Sequence, residues 1–323
     1  MLLSIVILNF NTAPLTIQCI RSIKRHCTIP ASDYEIIIVD NHSREEDVEK
    51  LTRECQGIPD SQSAHLPGSD ALTTAAATPS LHILLIISKL NTGFGGGNML
   101  GANQARGKYI LFLNSDVLLT EDCIKPLCDM LEDNPHIGCI TPQQMNGSGA
   151  LLPTFGHEPS VFTAVWGTRL LEKLFPRRYP RLYTPLAEIT NASYISGSFM
   201  LFPLQVFYLA GGFDTNIFLY YEEYDICTRL SALGYKSVIV PSYTYTHLVG
   251  ESTKHVKSET TREMFISQLY VYKKHHRTIN YWLYKWIVII KMALLHKRLW
   301  YLLPSIESGR IHETQSTIIF PMS

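Results

Sequence analysis

Three polar clusters follow apolar runs in this chain: Asn9 and Asn11 after residues 2–8, Asp40 and Asn41 after 35–39, Asn114 and Asp116 after 109–113. One such residue alone caps a helix or closes a turn as readily as it binds anything. If the runs are buried strands of one sheet, however, all three clusters meet at one edge. That edge is where open α/β sheets hold ligands, and Asp116 is suited there to a metal and a diphosphate. A second group of acids, Glu222, Glu223 and Asp225, adjoins Tyr220 and Tyr221. Acids at the start of a helix are favoured by its dipole. Crowded against one another and against apolar rings, they also have raised pKa values, which suits a general base. His247 by itself is an ordinary structural histidine; paired with Asp116 it becomes a second ligand for Mg²⁺ or Mn²⁺.

The surrounding pattern supplies the elements that must position these groups. Residues 2–8 form a nearly unbroken apolar run, as a buried parallel strand requires. Leu15, Cys19, Ile20 and Ile23 follow at helical spacing, and 35–39 is a second strand. Residues 81–87 and 109–113 give a third and a fourth. Between them lies NTGFGGGNMLGANQARGK, read as a glycine-rich turn that admits substrate to the backbone, then a helix over 98–105. A helix is expected over 121–132, a short strand over 137–140 and a helix from Pro203 to Leu209. After a turn at 210–214 come a helix over 226–233 closed by Gly234 and a last strand over 236–240. His247 is placed in the following loop, and 259–276 is an amphipathic helix. The fold class is α/β, a mostly parallel central sheet flanked by helices, with a helical C-terminal extension. Residues 55–80, rich in small and polar residues, read as a flexible surface loop. Between 143 and 191 the signals weaken. Arg169, Arg177, Arg178 and Arg181 among Trp166, Phe175, Tyr179 and Tyr183 fit an acceptor-binding or lipid-facing segment and a solvated loop equally.

Composition narrows the field. The 323 residues hold 28 basic and 28 acidic side chains, so nothing global points to nucleic acid. The seven cysteines are scattered without CxxC pairs, as in a reduced cytoplasmic protein. The first apolar run lacks a basic start and is interrupted at Asn9, so it reads as a strand and not a signal peptide. Glycines 93, 95, 96, 97 and 101 never form GxGxxG, and Gly101–Lys108 misses the P-loop spacing, with Tyr109 where Ser or Thr is needed.

Taken in order, SIVILNFN at 4–11, EIIIVDNHS at 35–43, NTGFGGGNMLG at 91–101, YILFLNSDV at 109–117, ISGSFMLF at 195–202, residues 211–236 and the 247–252 segment resemble family 2 glycosyltransferases of the GT-A fold, most closely a rhamnosyltransferase-like branch. The resemblance implies inverting transfer from a nucleoside-diphosphate sugar. It places Asp40 at the nucleobase, Asn9 and Asn11 in the nucleotide pocket, and Asn91, Gly93, Phe94 and Asn98 along the diphosphate and donor sugar. Asp116 would close the family's DxD-type motif, here Asn114-Ser115-Asp116, and bind Mg²⁺ or Mn²⁺ with His247. Glu223 falls on the catalytic base, where many relatives carry aspartate, and Ser196, Gly197 and Glu222 fall on the acceptor side.

The expected reaction moves a sugar, L-rhamnose from dTDP-rhamnose foremost, to a saccharide or polyprenyl-diphosphate-linked acceptor in surface polysaccharide assembly. A UDP-hexose or UDP-galactofuranose donor is the alternative, and a non-catalytic sugar-nucleotide-binding scaffold is a third reading. Residues 1–255 are taken as the transferase domain and 256–323 as the extension. Within the latter, 281–303 carries tryptophans and cations suited to a helix in a membrane surface, or else to packing on the domain or in a homodimer. The expected location is cytoplasmic, peripheral on the inner face of the cytoplasmic membrane, with no nucleic-acid partner.

Overall fold

The computed structural model describes residues 1–56, 61–64, 81–248 and 257–295. The first half alternates strands and helices: β1 (Leu3–Asn9), α1 (Ala13–His26), β2 (Tyr34–Asp40), α2 (Glu45–Gln56), β3 (Ser61–Ala64), β4 (His82–Ile87), α3 (Gly93–Ala102), β5 (Tyr109–Asn114) and the short β6 (Val117–Leu118). The second half adds α4 (Ile124–Asp133), β7 (Ile137–Met145), β8 (Phe155–Gly156), α5 (Val161–Trp166), α6 (Thr168–Leu174), β9 (Thr190–Ala192), β10 (Tyr194–Ile195), β11 (Phe199–Pro203), α7 (Leu204–Leu209), α8 (Glu222–Ala232), β12 (Lys236–His247), α9 (Lys257–His275) and α10 (Thr278–Leu295).

The main sheet runs β3-β4-β2-β1-β5-β11-β7-β12-β6, with β9 also on β12. β1, β2, β3, β4 and β5 pair in parallel, as do β7 and β12, while β11 runs antiparallel between β5 and β7. Strand alternation splits the core across two faces. Ile5, Ile7, Ile36, Ile38 and Leu111 pack on one side, Val6, Ile37, Val39, Ile110 and Phe112 on the other. Burial of both faces explains why these strands read as unbroken apolar runs, each such side chain contributing roughly 1.5–3 kcal/mol.

Several expectations change here. The glycines of 93–97 are the first turns of α3, not a loop. A Cβ on Gly97 would stand 2.3 Å from Leu8 Cδ1, and one on Gly101 2.4 Å from Val6 Cγ1. Those two glycines therefore let α3 lie close on β1; they face the sheet and not a substrate. Within 55–80, Cys55 and Gln56 are the last residues of α2 and Ser61–Ala64 forms the edge strand β3; the rest of that segment lies outside the described residues. β7 is longer than expected, and β12 continues past Pro241 through a register irregularity between Val240 and Thr244. His247 consequently ends a strand instead of sitting in a loop. All seven cysteines are unpaired.

Candidate active site

The parallel register brings the three polar clusters to one rim, as their spacing predicts. Asn9 is opposite Asp40, and Leu8 is opposite Asn114. Asn9 Nδ2 donates to Asp40 Oδ2 at 2.8 Å and to Ser43 Oγ at 3.0 Å. Asp40 Oδ1 accepts from the Ser43 amide, and Asn9 Oδ1 accepts from the Thr16 and Thr12 hydroxyls. Asn11 adopts φ +55° and accepts from the Arg44 amide, joining the β1 and β2 ends. A second junction is built on Asn41. Its amide donates to Asn91 Oδ1 and the Gly93 carbonyl, and its oxygen accepts from the Thr92 amide and hydroxyl. This fixes the entry to α3. Gly93, at φ +74°, has the Phe218 carbonyl 2.2 Å from where a Cβ would sit, and Phe94 N donates to that same carbonyl at 2.7 Å. Asn98 turns inward and donates to the Phe94 carbonyl.

Asp116 and His247 meet where β6 pairs with β12. Nε2 of His247 lies 3.0 Å from Asp116 Oδ1, with both side chains mostly buried. Nδ1 lies 2.6 Å from Gln144 Nε2 at the end of β7. Gln144 Oε1 in turn accepts from Tyr245 OH at 3.2 Å and Ser198 Oγ at 3.4 Å. Ser115 shares a 2.9 Å hydrogen bond with Thr12, and the Asn114 amide donates to the Ser198 carbonyl. Among the described residues no third His, Cys, Asp or Glu joins the pair. A buried carboxylate facing an imidazole, with no lysine or arginine paired to it among those residues, is a donor set that fits Mg²⁺ or Mn²⁺ with further oxygens coming from a diphosphate.

α8 packs against β10 and β12. Tyr220 and Tyr221, just before it, take φ +70° and +68°, unusual for aromatic residues and costing on the order of 1–3 kcal/mol each. Ser267 Oγ donates to the Leu219 carbonyl and Gln268 Nε2 to Tyr221 OH, so α9 holds the turn in place. Glu223 follows, beside Gly197: a Cβ there would be 4.0 Å from Glu223 Oε2 and 3.8 Å from the Phe94 ring. Burial raises the Glu223 carboxyl to about 7. Glu222 is pushed well above the usual range by burial and then by Glu223, and its Oε2 has no hydrogen-bond partner among the described residues. Asp225 has a different task. Burial would raise it, but His275, Arg229 and Lys274 outweigh that and hold it at about 2. It ties α8 to α9 through His275 at 2.7 Å and Lys274 at 2.8 Å.

The sequence model described as "Glycosyl transferase family 2" matches residues 4–207, more than half of the chain. The chain belongs to glycosyl transferase family 2. The family 2 chain is 29% identical over 150 residues to the N-acetylglucosaminyl-diphospho-decaprenol L-rhamnosyltransferase of Mycobacterium tuberculosis, covering 45% of this chain and 48% of that protein. It is 23% identical over 177 residues to the rhamnosyltransferase WbbL of Escherichia coli K12, covering 53% and 66%. This chain thus spans about half the length of the mycobacterial relative. Among solved structures, GalNAc-T7 with UDP, GalNAc and Mn²⁺ superposes with a TM-score of 0.58 at 15% identity, over 84% of this chain and 48% of that one. The chain has the GT-A fold, and two of the relatives it resembles are named as rhamnosyltransferases.

Of the residues expected at the site, Asn9, Asn11, Asp40, Asn114, Asp116, Ser196, Gly197 and His247 stand at or beside strand ends on one edge of the sheet, Asn91, Gly93 and Phe94 stand at the entry to α3 with Asn98 one turn further along it, and Glu222 and Glu223 open α8, Glu223 beside Gly197. Ser43, Ser115, Gln144, Ser198 and Tyr245 complete this network beyond the residues expected for it. Ser115 adjoins motif residues, and that adjacency is its only signal in the sequence. Gln144 and Tyr245 had none, because nothing in a lone sequence shows that β7 and β12 end beside Asp116.

Proposed function

We propose that this enzyme inverts the anomeric centre while moving a hexose, L-rhamnose from dTDP-rhamnose foremost, onto a saccharide carried on a polyprenyl diphosphate. The observation that carries the reading is the shared rim. The Asn9–Asp40 and Asp116–His247 pairs stand at strand ends on one edge of the sheet, and Glu223 stands beside Gly197 on that edge. The mycobacterial relative's name supports an L-rhamnosyl group and a lipid-linked acceptor.

In this mechanism the fixed Asp40 carboxylate and Asn9 amide receive the nucleoside. Asn91, Gly93, Phe94 and Asn98, locked by Asn41, line the diphosphate and donor sugar, with Asn114 closing that side. Asp116 and His247 would hold Mg²⁺ or Mn²⁺, and that ion would supply positive charge facing the leaving diphosphate. Glu223 takes the proton from an acceptor hydroxyl aligned by Ser196, Gly197 and Glu222. The hydroxyl oxygen bonds to the anomeric carbon as the bond to the nucleoside diphosphate breaks on the opposite face. A carboxyl with a pKa near 7 is partly ionised at neutral pH and basic enough to accept that proton. We place residues 1–255 in the transferase domain and 256–323 in an extension whose 281–303 segment rests on the inner membrane surface. No helix among the described residues is long and apolar enough to cross a membrane, and 296–303 lie outside them.

A thermal-shift panel of dTDP-, UDP- and GDP-linked sugars with and without Mn²⁺ tests the proposal. A ligand at a hundred times its Kd adds about 2.7 kcal/mol of stability. The expected result is stabilisation by dTDP-rhamnose that Mn²⁺ strengthens and Asp116→Ala removes. A folded sample that answers to no nucleotide contradicts the transferase mechanism at this site.

A further inference from the structure

The segment between β8 and β9 supplies nothing to the rim, yet it is unusual. Phe162, Val165 and Trp166 of α5 and Leu170, Leu174 and Phe175 of the α6 region are all exposed, Trp166 at 54%. The rings gather outside the fold: Phe162 lies 6.4 Å from Trp166 and 6.5 Å from Phe175. Around them Arg169, Lys173, Arg177, Arg178 and Arg181 are exposed. The one acid from 159 to 187 is Glu172, which is turned inward onto His157 at 3.1 Å. The segment therefore shows water a cluster of large apolar groups rimmed by uncompensated cations.

This patch adjoins a second one. α5 turns Val161 and Ala164 inward against Tyr284 and Val288 of α10, and Lys291 donates to the Ala164 carbonyl at 2.5 Å. The outer side of α10 exposes Trp282, Leu283, Trp286, Ile290 and Leu294, and residues 278–295 contain no acid. Between α5 and α10 lies a cavity of about 410 Å³, reaching Tyr194 and Tyr221. Exposed apolar surface of this extent marks a contact. Charge selects the occupant. A second copy set face to face would oppose arginines with arginines, whereas an anionic bilayer pairs them with phosphates and takes the rings below its headgroups.

We propose that α5 and α6 form a membrane-docking surface for anionic phospholipid, separate in sequence from α10 and acting beside it. Phe162, Trp166, Leu170, Leu174 and Phe175 enter the headgroup boundary, and the five cations bind lipid phosphates. The proposal extends the membrane contact suggested for 281–303 and does not depend on which sugar is transferred. With both helices on the bilayer, the cavity between them opens beside the lipid surface.

The test is co-sedimentation of the full chain with phosphatidylcholine vesicles, with and without phosphatidylglycerol. Three double variants are compared: Arg177→Glu with Arg178→Glu, Trp166→Ser with Phe175→Ser, and Trp282→Ser with Trp286→Ser. The parent should bind only the anionic vesicles, and less so in high salt. Each of the first two pairs should lower partitioning roughly tenfold or more even though α10 is intact, with the melting transition unchanged. Loss of binding in the α10 pair alone, or no binding by the parent, overturns the proposal. So does a parent dimer in light scattering that the α5–α6 variants convert to monomer. Nucleotide thermal shifts on the same proteins report separately on the transferase mechanism.

Discussion

Gln144 presents its amide nitrogen to Nδ1 of His247 at 2.6 Å, while the other ring nitrogen faces Asp116 Oδ1 at 3.0 Å. An N–H pointing at Nδ1 makes that atom an acceptor and leaves the ring proton on Nε2, donated to Asp116. Ligation of a metal through Nε2 needs the opposite tautomer. Half a turn of the Gln144 amide supplies it: Oε1 then accepts from Nδ1–H, and the amide nitrogen meets the Ser198 and Tyr245 hydroxyls, which can accept. Gln144→Glu, an acceptor only, should keep Mn²⁺ affinity at or above that of the parent. Gln144→Leu should weaken it roughly 10–100-fold. Titration of Mn²⁺ by electron paramagnetic resonance, without sugar donor, reads both; equal affinity in the leucine variant would remove Gln144 from the metal's support.

Glu223→Gln should lower kcat roughly 10²–10⁴-fold while leaving nucleotide stabilisation intact. The reaction needs the ionised carboxylate, so the parent rate should climb with pH through an inflection near 7 and then level off. Burial, and not a neighbouring charge, causes that elevation, so Glu222→Gln should leave the inflection close to 7. A pH–rate profile of the two variants and the parent decides the matter.

Three glycine-to-alanine changes in α3 should rank by what the new methyl meets. Gly93→Ala is the most damaging, because the backbone there has φ +74° and the Phe218 carbonyl is in the way. Gly101→Ala meets the stiff, buried Val6 and Val39 and should cost about 1–3 kcal/mol. Gly97→Ala should cost less, since the Leu8 side chain can turn aside. Urea unfolding gives the order, and a Gly97 penalty above that of Gly101 would refute the packing argument.

Asp225→Asn should loosen the α8–α9 junction and cost about 2–4 kcal/mol by leaving Arg229, Lys274 and His275 without their shared anion. The sign of the pH effect follows from the lowered pKa. The Asp225 contribution is present above about 3.9, the unfolded value. It fades as pH falls through about 2. Thermal melts of parent and variant should therefore differ most near neutrality and converge in acid.

Much of the fold was readable because its inner strands are buried on both faces. Residues 5–7, 36–39 and 110–113 have no polar interruption, and each stops at a residue of the rim. α2 and β3 escaped notice for the converse reason: EEDVEKLTRECQ and SQSA carry too few apolar groups to show a period. Pro241 hid the second half of β12, since a proline ordinarily ends an interior strand. The glycines of α3 were read toward a ligand because their partners, Val6 and Leu8, lie some ninety residues away in sequence. Gln144 escaped for the same reason of distance, being joined to His247 by the pairing of β7 with β12 and by nothing nearby.

The antiparallel course of β11 has one more consequence. By running back between β5 and β7, it delivers Ser196–Ser198 to the rim that β5 reaches with Asn114, so Phe199 pairs with Leu113. In the proposed mechanism, the groups assigned to the donor come almost wholly from before residue 117 and those assigned to the acceptor from after 195; the two lengths of chain join along this seam and again at the Phe94–Phe218 hydrogen bond and the Asp116–His247 pair. Such an enzyme is divisible: a graft that keeps the seam's apolar pairing and those two junctions while exchanging the rest of the later length should receive a new acceptor without relearning its donor.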